Sequence, residues 1–249
     1  MANRFVPLGT GIYYPAEAAR LIRIRPDRLR RWVRGYTYWT HETRQGRKHS
    51  RPPILSRAGH GRGGDLPVID RAIALSFLEL MELRIVRELV DDKKIPLQTV
   101  RKFSDQLKAQ FETKNPFASR QVFASGDDLF ATLSRTDRDH MIGSKGRDRE
   151  QLAATVLFRP YLSDAEFDEA TFLTQKWWPL GHGVPVVLDP RISFGAPTIQ
   201  GRRVRTAIVA GMVEAGSESE AAGAYGLSLA EVRAAVLFES ELKRTATAA

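Results

Sequence analysis

Between Pro15 and Gly35 the apolar positions fall into two short clusters, and each predicts a helix. Ala18, Ala19, Leu21 and Ile22 make a small apolar face behind Pro15, which suits a first helical turn because its missing N–H has no partner there. Glu17 sits in the same turn, where negative charge is favoured. Ile24 is the apolar residue of the connecting turn. Pro26 restarts a helix and Gly35 is placed to end it in the left-handed conformation. At 100° per residue, Leu29 and Val33 share the buried side of this second helix, with Trp32 at its edge. Asp27, Arg30, Arg31 and Arg34 fall together on the opposite side, and Arg28 lies beside Trp32.

The rhythm changes further along. Asp70 to Asp91 is densely apolar on more than one side and predicts a buried helix, while Pro96 to Thr113 is amphipathic, with Leu97, Val100, Phe103, Leu107 and Phe111 on one face. Val122-Phe123, a turn at Ser125 to Asp128, and Leu129-Phe130 read as a short hairpin. Asp137 to Glu150 reads as an exposed loop, Gln151 to Tyr161 as helix, Phe167 to Trp178 as strand, and Pro179 to Gly183 as a boundary. Val186 to Pro190 opens the last unit as strand and turn, followed by extended pieces at Ile192 to Ile199 and Gly201 to Val204. Three helices close the chain. The first is capped at Thr206 and stopped at Gly216; the others start from the capping boxes Ser217/Glu220 and Ser228/Glu231. The fold expected is mainly α with short β-hairpins. A winged helix-turn-helix head covers 1–69 and a helical linker and dimer region with a small β-containing piece covers 70–183. A three-helix, helix-turn-helix-like module preceded by a small hairpin covers 184–249.

Charge sharpens this picture. The first 64 residues carry fourteen Lys and Arg against three Asp and Glu, a net +11, whereas the other 185 carry 24 against 26. A compact basic two-helix unit serves most economically to hold a nucleic-acid backbone. Arg30, Arg31 and Arg34 are expected at the groove, where arginine pairs bidentately with guanine or clamps phosphates. Arg28, Arg44, Arg47 and Lys48 are expected on phosphates. The aromatic piece Tyr36-x-Tyr38-Trp39 and the basic loop behind it suggest a wing, and the Gly59 to Gly64 run reads as a mobile linker or the tip of that wing. That glycine run lacks the Gly-Lys-Ser/Thr ending of a phosphate-binding loop. Residues 201–249 hold six basic and six acidic side chains, so the second helix-turn-helix-like unit has no such footprint and reads as an assembly surface.

Other chemistry finds little support. The absence of cysteine excludes disulfides, iron–sulfur clusters and thiolate zinc. His41, His49, His60, His140 and His182 have no ligand spacing, so no metal is expected. The acidic clusters at Asp127-Asp128, at Asp137 with Asp139, and at Asp164, Glu166, Asp168 and Glu169 fall in turns or alternate with exposed positions. No catalytic residues and no cofactor are therefore expected, and the chain is read as non-enzymatic. It has neither the apolar leader of a secreted protein nor an apolar run of about 18–20 residues, which suggests a cytoplasmic protein with no membrane partner.

Two stretches resemble known families. Tyr14 to Leu21 followed by Leu29 to Tyr36 is similar to the DNA-binding head of MerR-like winged helix proteins. The chain has Tyr14 where that pattern usually carries a hydroxyl cap, and its wing is longer. Asp189-Pro190, Gly195-Ala196-Pro197-Thr198-Ile199, Gly201-Arg202-Arg203, Ala215-Gly216 and Tyr225 to Ser228 resemble the domain of unknown function 433 over about 55 residues. A head and tail of these kinds together look like VapB-type antitoxins of type II toxin–antitoxin operons. The resemblance implies a homodimer that binds operator DNA as an autorepressor and neutralises a PIN-like ribonuclease toxin. A stand-alone MerR-like regulator whose middle region senses a small molecule is the alternative. A ribonuclease toxin is the third reading, and it predicts metal-dependent RNA cleavage.

Overall fold

Proline and serine placement explains most of the helix starts. In the computed structural model, which describes residues 10–40, 47–51, 53–55, 74–124 and 163–247, Pro15 and Pro26 occupy the first turns of α1 (Pro15–Leu21) and α2 (Pro26–Arg34). Gly35 ends α2 with φ +71° but an extended ψ of 177°, so the chain leaves directly as a strand. That strand, β1 (Tyr36–Thr40), pairs antiparallel with β2 (Arg47–Arg51). The chain then returns to α2, where the Ile54 N–H donates to the Trp32 carbonyl at 2.8 Å and Ile54 and Leu55 are buried.

The middle segment departs from expectation in two places. The buried helix begins at Phe77, not near Asp70: α3 (Phe77–Arg87) is set by a reciprocal capping box. The Ser76 N–H donates to Glu79 Oε2 at 2.8 Å and the Glu79 N–H to Ser76 Oγ at 3.2 Å. Leu75 is extended and exchanges both backbone hydrogen bonds with Tyr13, which keeps it out of the helix. Past Arg87 the helix widens into a π turn at Glu88–Asp92. The amphipathic helix α4 (Leu97–Phe111) buries Val100, Phe103 and Leu107 as its spacing predicts. Val122 and Phe123 are not in a hairpin but in the short helix α5 (Arg120–Ala124), with Val122 packed into the core. The other half of that expected hairpin, the loop from Asp137 and the helix from Gln151 lie outside the described residues.

The strand expected at Phe167 to Trp178 is a hairpin folded within itself. Its arms, β3 (Ala165–Phe167) and β4 (Thr174–Trp177), pair around a turn organised by the Asp168 carboxylate. The tail then places β5 (Val186–Val187) against β6 (Thr198–Ile199), and on its other side β6 turns back on itself as expected, the Ile199 N–H donating to the Val204 carbonyl at 2.8 Å and Thr198 bridging Arg205. Helices α6 (Thr206–Ala215), α7 (Glu218–Tyr225) and α8 (Leu229–Thr247) follow. Ser217 and Ser228 accept from the Glu220 and Glu231 N–H groups as expected. Thr206 is not a cap. It is the first helical residue, fully buried, and its hydroxyl donates to Glu239 of α8 at 2.5 Å.

The described residues are thus mainly helical with three short antiparallel strand pairs, and one buried core runs through all three segments. Tyr13 is the keystone. It is fully buried, its hydroxyl donates to the Gly195 carbonyl at 2.7 Å, and the neighbouring Ile12 N–H donates to Phe194 O at 2.9 Å. A side chain at position 195 would put Cβ at 2.2 Å from the Tyr13 hydroxyl, and φ there is +84°; both demand glycine. Arg23, in the turn between α1 and α2, pairs with Glu241 of α8 at 2.7 Å. Arg84 of α3 pairs with Asp164 at 2.5 Å and lies over the Trp177 ring. Burial pulls the Arg84 pKa down and pushes that of Asp164 up, and their mutual attraction opposes both shifts. The head is therefore braced against both later segments.

Candidate nucleic-acid interface

α2 is held by its apolar side and presents its cationic side. Leu29, Trp32 and Val33 are buried, whereas Arg30, Arg31 and Arg34 are exposed, as the helical spacing requires. Arg30 and Arg34 have no ion pair among the described residues. Arg31 is loosely tied, with Asp27 at 4.0 Å and the Tyr36 ring centroid at 5.9 Å. Such side chains keep their hydrogen-bonding forks for an external acceptor.

Arg28 is in a different situation. Its guanidinium lies 4.8 Å over the Trp32 ring and pairs with Asp91 of the π turn at 2.6 Å. Trp32 is consequently 3% exposed and not at an edge: the arginine covers it from one side and Ile54 of the returning chain hydrogen-bonds its backbone. Arg28 docks the helix onto the middle segment, and its charge is already compensated.

The hairpin adds residues that charge counting alone did not single out. Tyr36 and Tyr38 stand two apart on β1, with ring centroids 6.0 Å apart. Arg31 lies over Tyr36, and Arg51 lies 5.8 Å over Tyr38 while donating to its hydroxyl at 3.1 Å. Arg101 of α4 comes close enough to feel both Arg51 and Tyr36. Burial first, and then the Arg51 charge, pull its pKa below the ordinary arginine value. A ladder of two neighbouring phenol rings between two guanidiniums, in the order Arg31, Tyr36, Tyr38, Arg51, therefore continues the cationic face of α2 onto the hairpin. The sequence signal for it was the Tyr36-x-Tyr38 alternation. Arg47 and Lys48 lie on β2 opposite Thr40 and Trp39. Arg44 and the Gly59 to Gly64 run lie outside the described residues.

Chemically, exposed guanidiniums on one helix face suit phosphate clamping and base-edge pairing, and aromatic rings between cations suit sugar and base contact. No single helix among the described residues is long and apolar enough to cross a membrane.

Over 237 residues the chain is 28% identical to "Uncharacterized protein Rv2308" of Mycobacterium tuberculosis, an alignment covering 90% of this chain and 88% of that one. The fold resembles the crystal structure of Rv2018 from Mycobacterium tuberculosis, with a TM-score of 0.64 and 21% identity, covering 94% of this chain and 99% of the other. Residues 186–238, from β5 into α8, match the family described as "Protein of unknown function (DUF433)".

Proposed function

We propose that the protein is a non-enzymatic antitoxin of a type II toxin–antitoxin module, a homodimer that binds its own operator as an autorepressor and neutralises a PIN-like toxin. The observation that carries the DNA-binding half is the exposed Arg30, Arg31 and Arg34 face of α2, continued by the Arg31–Tyr36 and Arg51–Tyr38 contacts of the hairpin. In this reading α1 and α2 are a helix-turn-helix of MerR-like type with α2 in the major groove, and β1 and β2 are its wing on the flanking backbone. The antitoxin half is supported by the family match over 186–238 and by the near-neutral balance of 201–249, which suits protein contact.

Co-expression with the product of the adjacent reading frame tests this reading. The two proteins are expected to co-purify, and the complex is expected to retain operator binding. A neighbouring product that neither associates nor shows toxicity relieved by this protein contradicts it. Metal-dependent RNA cleavage by the purified chain would instead support the toxin reading.

One observation favours the alternative of a small-molecule-sensing regulator. A cleft of about 160 Å³ lies between the α1–α2 turn, α3, β4 and α8, lined by Arg23, Arg84, Glu88, Asp164 and Trp177. That reading predicts operator affinity that responds to a metabolite with no partner protein present.

A further inference from the structure

Asp189 opens a cup on the tail surface, about 490 Å³ in volume and lined by Asp189, Arg191, Ile192, Ser193 and Arg203. Its floor is a built ion pair. The Asp189 side chain is 5% exposed and accepts from Arg191 Nε at 2.9 Å, Arg191 Nη2 at 2.8 Å and the Arg191 backbone N–H at 2.9 Å. Asp189 takes the Nε and Nη2 edge of the Arg191 guanidinium and fixes it in place, so what Arg191 offers to the cup is its outer edge, on a side chain 55% exposed. Across from it is Arg203, exposed, at φ +58° and without an ion pair among the described residues.

Beside the cup the backbone is strained. Ser193, Phe194 and Gly195 have φ of +50°, +58° and +84° in succession, and two of the three are not glycine. The left-handed conformation is unfavourable for Ser193 and Phe194, which carry a Cβ. The turn is over-determined by bonds to elsewhere in the fold: Arg205 donates to Ser193 O, Ile12 to Phe194 O, and Tyr13 to Gly195 O. The outcome is a phenyl ring held in water, with Phe194 60% exposed. Phe194 directly follows Ser193 of the cup lining, so an exposed aromatic borders a cup lined by two arginines, and aromatic and arginine side chains are what binding hot spots are rich in.

We infer that this knuckle and cup form a docking site for an acidic segment of a protein partner, one that sets a carboxylate against Arg191 and Arg203 and an apolar side chain against Phe194. Charge selects this occupant over nucleic acid. Glu166 and Asp168 are close enough to act on Arg191, and Glu17 on the first turn of α1 faces Arg205. A continuous phosphate backbone would meet these carboxylates, whereas a short peptide need not. The inference rests on the proposed function only in naming that partner as the product of the adjacent gene.

The test uses the full-length protein with Phe194→Asn and Arg203→Asn. Asparagine tolerates positive φ, so both variants keep the turn and are expected to melt at or above the wild-type temperature. Three affinities are measured: for the adjacent gene's product, for a short labelled peptide alternating Asp and Leu, and for the operator fragment. The expected result is a loss of at least about tenfold for partner and peptide with operator affinity unchanged. Partner and peptide affinities equal to wild type overturn the docking site. A loss confined to operator affinity also overturns it, assigning the cup to nucleic acid. Peptide binding that depends on Phe194 and Arg203, with no binding of the adjacent product by wild type, upholds the cup and sinks the antitoxin reading.

Discussion

Two residues carry consequences that their type alone does not announce. Arg28 belongs to the same arginine-rich helix as Arg30, yet Asp91 at 2.6 Å and the Trp32 ring already occupy it. Arg28→Ala is therefore expected to change operator affinity by less than about threefold, whereas Arg30→Ala costs about 1–3 kcal/mol. Equal losses in a titration of the two variants would contradict the assignment. Glu82 is a buried carboxylate of α3, 2% exposed, that accepts the Ala118 N–H at 3.0 Å. Burial pushes its pKa up to about 8, against the pull of Lys108 and of the Phe117 and Ala118 N–H groups. Between the ordinary value of 4.5 and about 8 the folded chain keeps a proton that the unfolded chain has released. Stability must then fall as pH rises through that window, by up to about 1.4 kcal/mol per pH unit. Glu82→Gln keeps the acceptor and cannot ionise. Urea unfolding at pH 5.5 and 7.5 is expected to show a flatter dependence in this variant, and an identical slope would refute the linkage.

At the scale of elements, legibility followed locality. Pro15, Pro26 and the Ser217/Glu220 and Ser228/Glu231 pairs act within one turn, so their helices start where the sequence says. The Ser76/Glu79 box is equally local, but the apolar run from Ile73 masked it. What stops the helix from starting earlier is a backbone exchange between Leu75 and Tyr13, 62 positions away. Similarly, Val122-Phe123 reads as one arm of a hairpin but is helical, in the short α5 that packs on α4 and the Pro116–Ala118 turn. Ser76→Ala removes one half of the box and should cost about 1 kcal/mol in chemical denaturation. A cost near zero would mean that the Tyr13–Leu75 pairing alone sets the start of α3.

For the whole molecule, the charge asymmetry between the first 64 residues and the rest was visible from counting, and so was the arginine face of α2. The bracing of the head was not. The Tyr13–Gly195, Arg23–Glu241 and Arg28–Asp91 contacts join residues 63 to 218 positions apart, and nothing in local spacing foretells them. They give the head a fixed position against the middle and the tail, so a tail-bound partner and head-bound DNA would act on one continuous core. The aromatic–guanidinium ladder of the hairpin was half legible: the alternation marked Tyr36 and Tyr38, but only the fold brings Arg31 and Arg51 onto them. Operator titrations of wild type and the Arg30→Ala/Arg31→Ala double variant over a range of salt decide whether α2 grips the operator. Wild-type binding is expected to be steeply salt-dependent, and the double variant to bind at least about 30-fold more weakly, with a shallower salt slope and intact partner binding. Operator affinity and salt slope unchanged in the double variant would refute the grip by α2.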